Sequence, residues 1–456
     1  MLSQSIIDKY NKPAPRYTSY PPANFFTENF TGEEYRQMVI GSNDQDPQHI
    51  SVYIHIPFCQ RLCYYCGCNS MLLRKGDQVE NYISHLKKEI RMGLALLDKG
   101  RKISQIHYGG GTPTFLAVEI IRDLNELILS EFECIENPEI AIECHPGYMD
   151  EKYWDELTKA GFTRISIGIQ DFNTDVLKAA NRKASLMPVK DVIGILRDRN
   201  ISVNMDFIFG LPLQTISSFT KTIEEAVELK PDRLVTFSYA HVPWVNQLQK
   251  KLEKVGLPAV GEKEGMYEKA KAILRNAGYE SVGMDHFVLP DDELFKAQVS
   301  GELHRNFQGY CTRRTTGQVY AFGTTGISQL ASAYSQNVKD IATYMAMIDN
   351  DSFPVLRGYS LSEDECIRRE VIAQLMCNYT LRWSGLASKL SLSADRIKAA
   401  LIYNEDMLRE LSDDGIIYFS SDSITVLPQA APFVRNVAAS MDPLLVGSDK
   451  QFSKSI

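Results

Sequence analysis

From His49 to Met284 the chain keeps one rhythm, short apolar strands alternating with longer helical stretches, and this limits its fold more than any other feature. Ile50–Ile56, Ile103–Tyr108, Glu139–Cys144, Arg164–Gln170, Ser202–Phe209, Arg233–Tyr239 and Tyr279–Met284 read as strands. Val79, Ile83, Leu86, Ile90, Leu94 and Leu97 fall on one helical face. Further helices are expected near Ala117–Phe132, Asp150–Ala160, Pro188–Arg199, Ser217–Leu229 and Glu262–Ala277. Such alternation demands right-handed βαβ units and a parallel sheet. The expected architecture is α/β, about six units closing or nearly closing into a partial TIM-like barrel, with a doubly wound open sheet as the alternative. In the strand at Arg164–Gln170, Ile165, Ile167 and Ile169 alternate with Ser166, Gly168 and Gln170. The isoleucines should pack under the outer helices, leaving a small, polar set facing inward. A filled barrel is bulky inside, so this pattern suggests space kept for a ligand.

The first of these strands runs into His55-Ile-Pro-Phe-Cys59-Gln-Arg-Leu-Cys63-Tyr-Tyr-Cys66-Gly-Cys68-Asn69, which holds four of the chain's nine cysteines. Disulfides fit poorly, because cysteines this close allow no more than one strained bridge. Structural zinc usually takes two separated ligand pairs, and no second pair follows. An iron–sulfur cluster is the third reading and the favoured one. One βα unit later comes His107-Tyr108-Gly109-Gly110-Gly111-Thr112-Pro113, where glycines let backbone approach a ligand closely. Phosphate cradling is its rival, but no Gly-Lys-Ser/Thr follows. Glu143, Gln170, Asp206 and Ala240 end, or nearly end, the next four strands. Barrel chemistry gathers at those C-terminal ends, so together they read as a polar ring.

Cys59-x-x-x-Cys63-x-x-Cys66 resembles the signature of radical S-adenosylmethionine (SAM) enzymes. With Cys68 added, the stretch is similar to oxygen-independent coproporphyrinogen III oxidases, and the likeness runs from Tyr17 to the terminal Gln451-Phe-Ser-Lys-Ser-Ile456. The resemblance implies a (β/α)6 radical SAM barrel and a [4Fe–4S] cluster held by Cys59, Cys63 and Cys66. Its fourth iron would be left for the amino and carboxylate groups of S-adenosylmethionine. Cys68 would then act on the substrate side or handle a proton, a buried small residue being its alternative. Gly110 and the glycines around it match a motif that binds the cofactor's amino group. Glu143 would take a cofactor ribose with Tyr53 and Ile327, while Tyr65, Gly111, Thr112, Gln170, Arg182, Asp206 and Ala240 match positions holding a second cofactor molecule. The family's reaction turns two propionates of coproporphyrinogen III into vinyl groups, giving protoporphyrinogen IX, by a 5′-deoxyadenosyl radical. Burying the four propionates of that substrate needs cations, for which Arg16, Arg61 and Arg305 are the candidates. Three positions depart from the commoner pattern: His145 where an acid is usual, Tyr65 for Phe, and the loop Ala321–Ile327.

The remaining segments and composition set the context. Residues 1–35, with Pro13-Ala-Pro-Arg16-Tyr17-Thr-Ser-Tyr20-Pro21-Pro22, should be extended and lie on the rest of the chain, a plain surface strap being the alternative; the resemblance implies that they cover substrate and that 36–350 form the barrel. Leu303–Tyr310, too polar and aromatic for a core element, breaks the repeat between Pro290 and Tyr334 and resembles a family loop beside the barrel mouth. Residues 351–456 form a mostly helical, winged-helix-like domain, with helices at Cys366–Tyr379, Trp383–Lys389 and Ala394–Leu411 and a hairpin from Gly415–Phe419 to Ser423–Val426. A formal charge of −8 and the absence of a dense basic stripe argue against nucleic acid. No stretch reaches a membrane-spanning length, Met1–Tyr20 has no apolar leader core, and the scattered thiols suit the cytoplasm. The chain is taken as a monomer served by an unidentified reductant and electron acceptor. Rival readings are a haem chaperone of the same superfamily, a radical SAM tetrapyrrole methyltransferase and a plain electron carrier. Chaperones usually lack a cysteine at the Cys68 position and the matching N-terminal segment.

Overall fold

A computed structural model describes residues 3–73, 77–312, 315 and 317–454, so Ser455 and Ile456 of the terminal match lie outside the described residues. The six barrel strands form where the pattern puts them: β1 (Ile50–Ile56), β2 (Ile103–Gly110), β3 (Cys134–Cys144), β4 (Arg164–Gln170), β5 (Ser202–Phe209) and β6 (Arg233–Ser238). They lie side by side in chain order, parallel throughout. Helices Asp77–Leu94, Val118–Leu129, Glu151–Leu157, Val189–Arg197, Ile216–Glu228 and Val260–Asn276 connect them. The predicted apolar face from Val79 to Leu97 is buried along its whole length. Each such side chain contributes roughly 1.5–3 kcal/mol on leaving water. Ile165, Ile167 and Ile169 join the same core, which leaves the opposite face of β4 for other work.

The sheet is open, and antiparallel pairings extend it at both ends. The expected seventh strand, Tyr279–Met284, is instead one arm of a hairpin, β7 (Glu280–Val282) with β8 (His286–Val288), and β8 pairs antiparallel with β6. The chain reverses at Gly283, whose φ of +59° suits glycine. The stretch read as a mouth loop is also a hairpin, β9 (Leu303–Asn306) with β10 (Gly309–Thr312). Its tyrosine hydroxyl is satisfied by other segments: Tyr310 Oη accepts from the Met284 amide at 3.2 Å and donates to the Met376 carbonyl at 3.4 Å. At the far edge β11 (Gln318–Phe322) runs parallel to β1. β12 (Ile327–Gln329), β13 (Ala333–Asn337) and β14 (Val355–Ser360) then follow, antiparallel. β14 therefore carries the large sheet past residue 350.

The C-terminal helices begin at a capping box, Ser362 with Glu365, that opens helix Glu363–Asn378. Helix Trp383–Leu390 follows, but the single helix expected over Ala394–Leu411 is two, Ala394–Ala399 and Glu405–Asp413. Asn404 ends the first run by capping the second, accepting from the amides of Asp406 and Met407. The expected hairpin is present as Ile417–Phe419 with Ser423–Val426, joined by a third strand, Thr380–Arg382. The N-terminal segment is less featureless than its pattern implied. It contains helix Gln4–Tyr10, and helix Gly32–Gly41 starts at a second capping box, Thr31 with Glu34.

Between those helices the strap is pinned from both sides. Tyr17 and Tyr20 are buried in the C-terminal core, and both hydroxyls donate to Asp442, at 2.9 and 2.8 Å. Phe26 stacks on Tyr334, and Thr27 bridges to Gly358 on the sheet edge. Asp442 is 1% exposed, so its loss would leave two phenols without acceptors. Asp442→Ala is expected to cost about 2–4 kcal/mol of stability. Thermal denaturation would show this as a lower midpoint, with earlier proteolytic cleavage in the strap.

Candidate active site

The C-terminal ends of β2–β5 and the loop after β1 line a cleft whose empty space, including the part open to solvent, is about 730 Å³. β1 delivers the cysteine loop to its rim, and a backbone clasp fixes that loop. Gly111 N donates to the Ile56 carbonyl at 2.8 Å and Thr112 N to the Phe58 carbonyl at 2.9 Å. A side chain at position 111 would sit 2.8 Å from the Pro57 carbonyl, so only glycine allows this approach. The clasp brings Cys59 Sγ within 3.4 Å of Thr112 Oγ1. On the loop's other flank, His55 Nε2 lies 2.9 Å from the Asn69 carbonyl.

Cys59, Cys63, Cys66 and Cys68 all line the cleft, with Arg61, Tyr65, Gly110, Gly111, Thr112, Glu143, Gln170, Arg182 and Asp206. Residues far apart in the chain thus meet where the strand-end argument put them. Arg182 donates to Tyr65 Oη at 3.0 Å, to Cys63 Sγ at 3.5 Å, and to the Gly168 carbonyl. Burial pushes the Cys59 thiol up to about 11. A hydrogen bond from Cys68 holds Cys66 down and, for the same reason, raises Cys68. Asp206 accepts from Ser166 at 2.7 Å and from Asn204 at 2.8 Å, while its burial raises its pKa. His145 also lines the cleft; burial, with Arg182 nearby, lowers it to about 2, so this ring is neutral where an acid is usual.

Tyr53 stands just beside this group. It stacks on His107, which pairs with Glu143 at 3.0 Å, and the Tyr53 hydroxyl and Glu143 converge over Gly109. Ala240, Ile327, Arg16 and Arg305 do not line the cleft. The Ala240 carbonyl accepts at 3.2 Å from Gln249, whose amide also donates to the Tyr65 carbonyl. Ile327 opens β12 and is half-buried. Asn246 donates to the Cys66 carbonyl at 2.6 Å. No local pattern marks Asn246 or Gln249 as loop braces, because they reach it from a separate loop after β6.

Residues 53–226 match the family model described as the Radical SAM superfamily. Over its full length the chain is 39% identical to the oxygen-independent coproporphyrinogen III oxidase of Synechocystis sp., covering 98% of that protein. It belongs to that family. The Escherichia coli relative of the same name is 37% identical over 99% of this chain and 98% of its own length. The solved structure of coproporphyrinogen III oxidase (HemN) from Escherichia coli, described as a radical SAM enzyme, superposes with a TM-score of 0.89 at 36% identity, covering 98% of this chain and 99% of that one.

The cofactors of a radical SAM oxidase are a [4Fe–4S] cluster and S-adenosylmethionine, and the cleft suits both. Among the described residues no three His, Cys, Asp or Glu side chains converge on a single-ion site. Separate irons, each taking one thiolate, need no such convergence. Gln170 Oε1 and Asn204 Oδ1 are buried without partners, as acceptors awaiting a ligand's donors would be.

In this family member the loop before Ile327 hangs on a buried carboxyl. Glu89 accepts from the Gly323 amide at 2.7 Å, Asn337 Nδ2 at 2.7 Å and Tyr344 Oη at 2.6 Å. Tyr82 ties that loop to the cysteine loop, accepting from Thr324 N at 3.0 Å and donating to the His55 carbonyl at 2.8 Å. Burial lifts the Glu89 pKa to about 7, from 4.5. Between those values the unfolded carboxyl is ionised while the folded one keeps its proton, so stability falls as pH rises across this window. Glu89→Gln should remove that slope. Its thermal midpoint should gain on the parent's from pH 5 to pH 8, and parallel profiles would contradict the assignment.

Proposed function

We propose that this chain carries out the oxygen-independent oxidative decarboxylation of two propionate side chains of coproporphyrinogen III to vinyl groups, giving protoporphyrinogen IX. One observation carries the reading: four cysteines of one loop and polar residues of three successive parallel strands, Glu143, Gln170 and Asp206, line the same cleft. An electron carrier would have no use for such a ring. When bound, the cluster and S-adenosylmethionine supply a carbon-centred radical that takes hydrogen from the β-carbon of a propionate. Cys59, Cys63 and Cys66 would hold three irons. Gly110 and its neighbours would bind the cofactor's amino group, and Glu143, with Tyr53 and Ile327, a ribose. The acceptor oxygens of Glu143 can take both protons of a diol. Tyr65, Gly111, Thr112, Gln170, Arg182, Asp206 and Ala240 would line the place of a second cofactor molecule. Ala240 would act there through its backbone, next to Gln249.

The protein's own part is to bind, orient and exclude water. Arg182 sets a positive charge beside the Cys63 sulfur and keeps Tyr65 in place. Cys68, exposed at the rim, would face substrate. Arg61, on the cleft wall, would meet a propionate. The strap and the C-terminal helices that follow β14 would cover the barrel, whose sheet runs past the expected boundary at residue 350, and would keep stray C–H bonds and water from a reactive intermediate. No helix among the described residues is long and apolar enough to cross a membrane, and the described cysteines form no disulfide, as suits a reducing cytoplasm, where the chain would act as a monomer. The reductant and the final electron acceptor are separate partners.

Anaerobic reconstitution with iron, sulfide, reductant, S-adenosylmethionine and coproporphyrinogen III should yield carbon dioxide and 5′-deoxyadenosine. Tight haem binding with no decarboxylation would favour the chaperone instead. Cys68→Ser should keep the iron content and visible absorbance of the parent yet lose turnover. Loss of iron in that variant would refute the ligand assignment.

A further inference from the structure

Four cations from four parts of the chain gather where strap, barrel and C-terminal domain meet: Arg16, Lys263, Arg305 and Arg435. Arg305, on β9, donates to the Arg16 carbonyl at 3.1 Å and lies over the Tyr310 ring. Arg435, on helix Val434–Ser440 and only 5% exposed, donates to the Ser453 carbonyl at 2.7 Å. That same oxygen accepts from the Ala14 amide at 3.2 Å, two residues before Arg16. Lys263, on the helix after β6, packs against Gly210 and donates to the Tyr239 carbonyl at 2.9 Å. Tyr239 directly follows the strand that ends at the barrel mouth.

Against these four cations stands one nearby carboxylate, Asp285. Each of the three hydrogen-bonded cations satisfies itself on backbone carbonyls, and among the described residues none of the four forms an ion pair. Asp285, the acid whose field reaches Arg16 and Arg305, is already bonded to His286 at 2.7 Å. The Nε groups of Arg305 and Arg435 are buried with no acceptor at all. Burial, with Arg16 and Arg305 nearby, lowers Arg435 to about 10, and burial, with Arg16 nearby, lowers Lys263 to about 8. Desolvated like charges raise the folded state's free energy unless something of opposite charge neutralises them. Arg16 keeps solvent access, so a ligand can reach the group.

We propose that Arg16, Lys263, Arg305 and Arg435 form a carboxylate-binding site for the propionates that are not being decarboxylated, an inference that rests on the function proposed above. The chemistry matches in kind. A tetrapyrrole that presents one propionate to the cleft still has three carboxylates to place, and guanidinium groups pair with carboxylates through two parallel hydrogen bonds. The site also gives the C-terminal domain a role in recognition, because Arg435 comes from it and Arg16 from the strap that it anchors.

The test is equilibrium binding of coproporphyrin III, the stable oxidised macrocycle, and of its tetramethyl ester, followed by porphyrin fluorescence on the reconstituted protein. The parent should prefer the free acid. Arg16→Gln, Lys263→Met and Arg435→Gln should each weaken free-acid binding about ten- to a hundredfold. Ester affinity and the response of the cluster spectrum to S-adenosylmethionine should stay unchanged. Should Arg435→Gln fail to fold, by its thermal midpoint, the two less buried positions carry the test. Parent-like affinity in Arg16→Gln and Lys263→Met, or equal loss for acid and ester, would overturn the site while leaving the proposed reaction standing. A parent that binds neither macrocycle would overturn both.

Discussion

The site rests on two backbone hydrogen bonds beyond the last regular residues of β1 and β2. Parallel pairing of these strands continues through Gly111 N to Ile56 O and Thr112 N to Phe58 O, so the cysteine loop departs from a fixed point and not from a frayed end. The loop itself has almost no secondary structure, and buried backbone without partners is costly. Its carbonyls are therefore taken up by side chains from elsewhere: Asn181 on Leu62, Gln249 on Tyr65, Asn246 on Cys66 and His55 beside Asn69. Three thiols can then be held at fixed positions by a chain segment that could not hold them alone.

The large architecture was legible because hydrophobic periodicity is a local property. The burial of Val79–Leu97 and the inward face of β4 follow from spacing alone, since a strand buried on one side must turn its other residues into the cleft. Local pattern says less where tertiary contacts decide. Tyr279–Met284 is apolar enough for a strand, but Gly283 reverses it under the Tyr310 ring. Leu303–Tyr310 looked too polar for the interior, yet its hydroxyl and guanidinium find partners in three other segments. Capping boxes such as Thr31 with Glu34 and Ser362 with Glu365 are local signals of helix starts. In the site, cysteines, glycines and strand-end polar residues stood out as types. Glu89, Asn246 and Arg435 did not, because a single charged or amide residue on a helix or loop is ordinarily solvated.

Electrostatics divide the molecule's upper face in two. Around the cleft, charges are paired: Arg182 with Tyr65 and the Cys63 sulfur, Glu143 with His107, Asp206 with Ser166 and Asn204. At the junction with the strap, cations stand together and donate chiefly to backbone carbonyls. The first arrangement suits polar cofactors held by many weak directional contacts. The second suits an anionic guest. A strap pinned by Tyr17 and Tyr20 to Asp442 connects them, so the covering of the barrel and the placing of substrate charge share one structural element.

The central claim is that three thiolates leave one corner of the iron cluster open to S-adenosylmethionine. Electron paramagnetic resonance of the reduced, anaerobically reconstituted protein tests it directly. Adding S-adenosylmethionine should shift the cluster's signal, as a new ligand binds at one iron. A signal that stays the same, from a cluster carrying four protein ligands, would contradict the account.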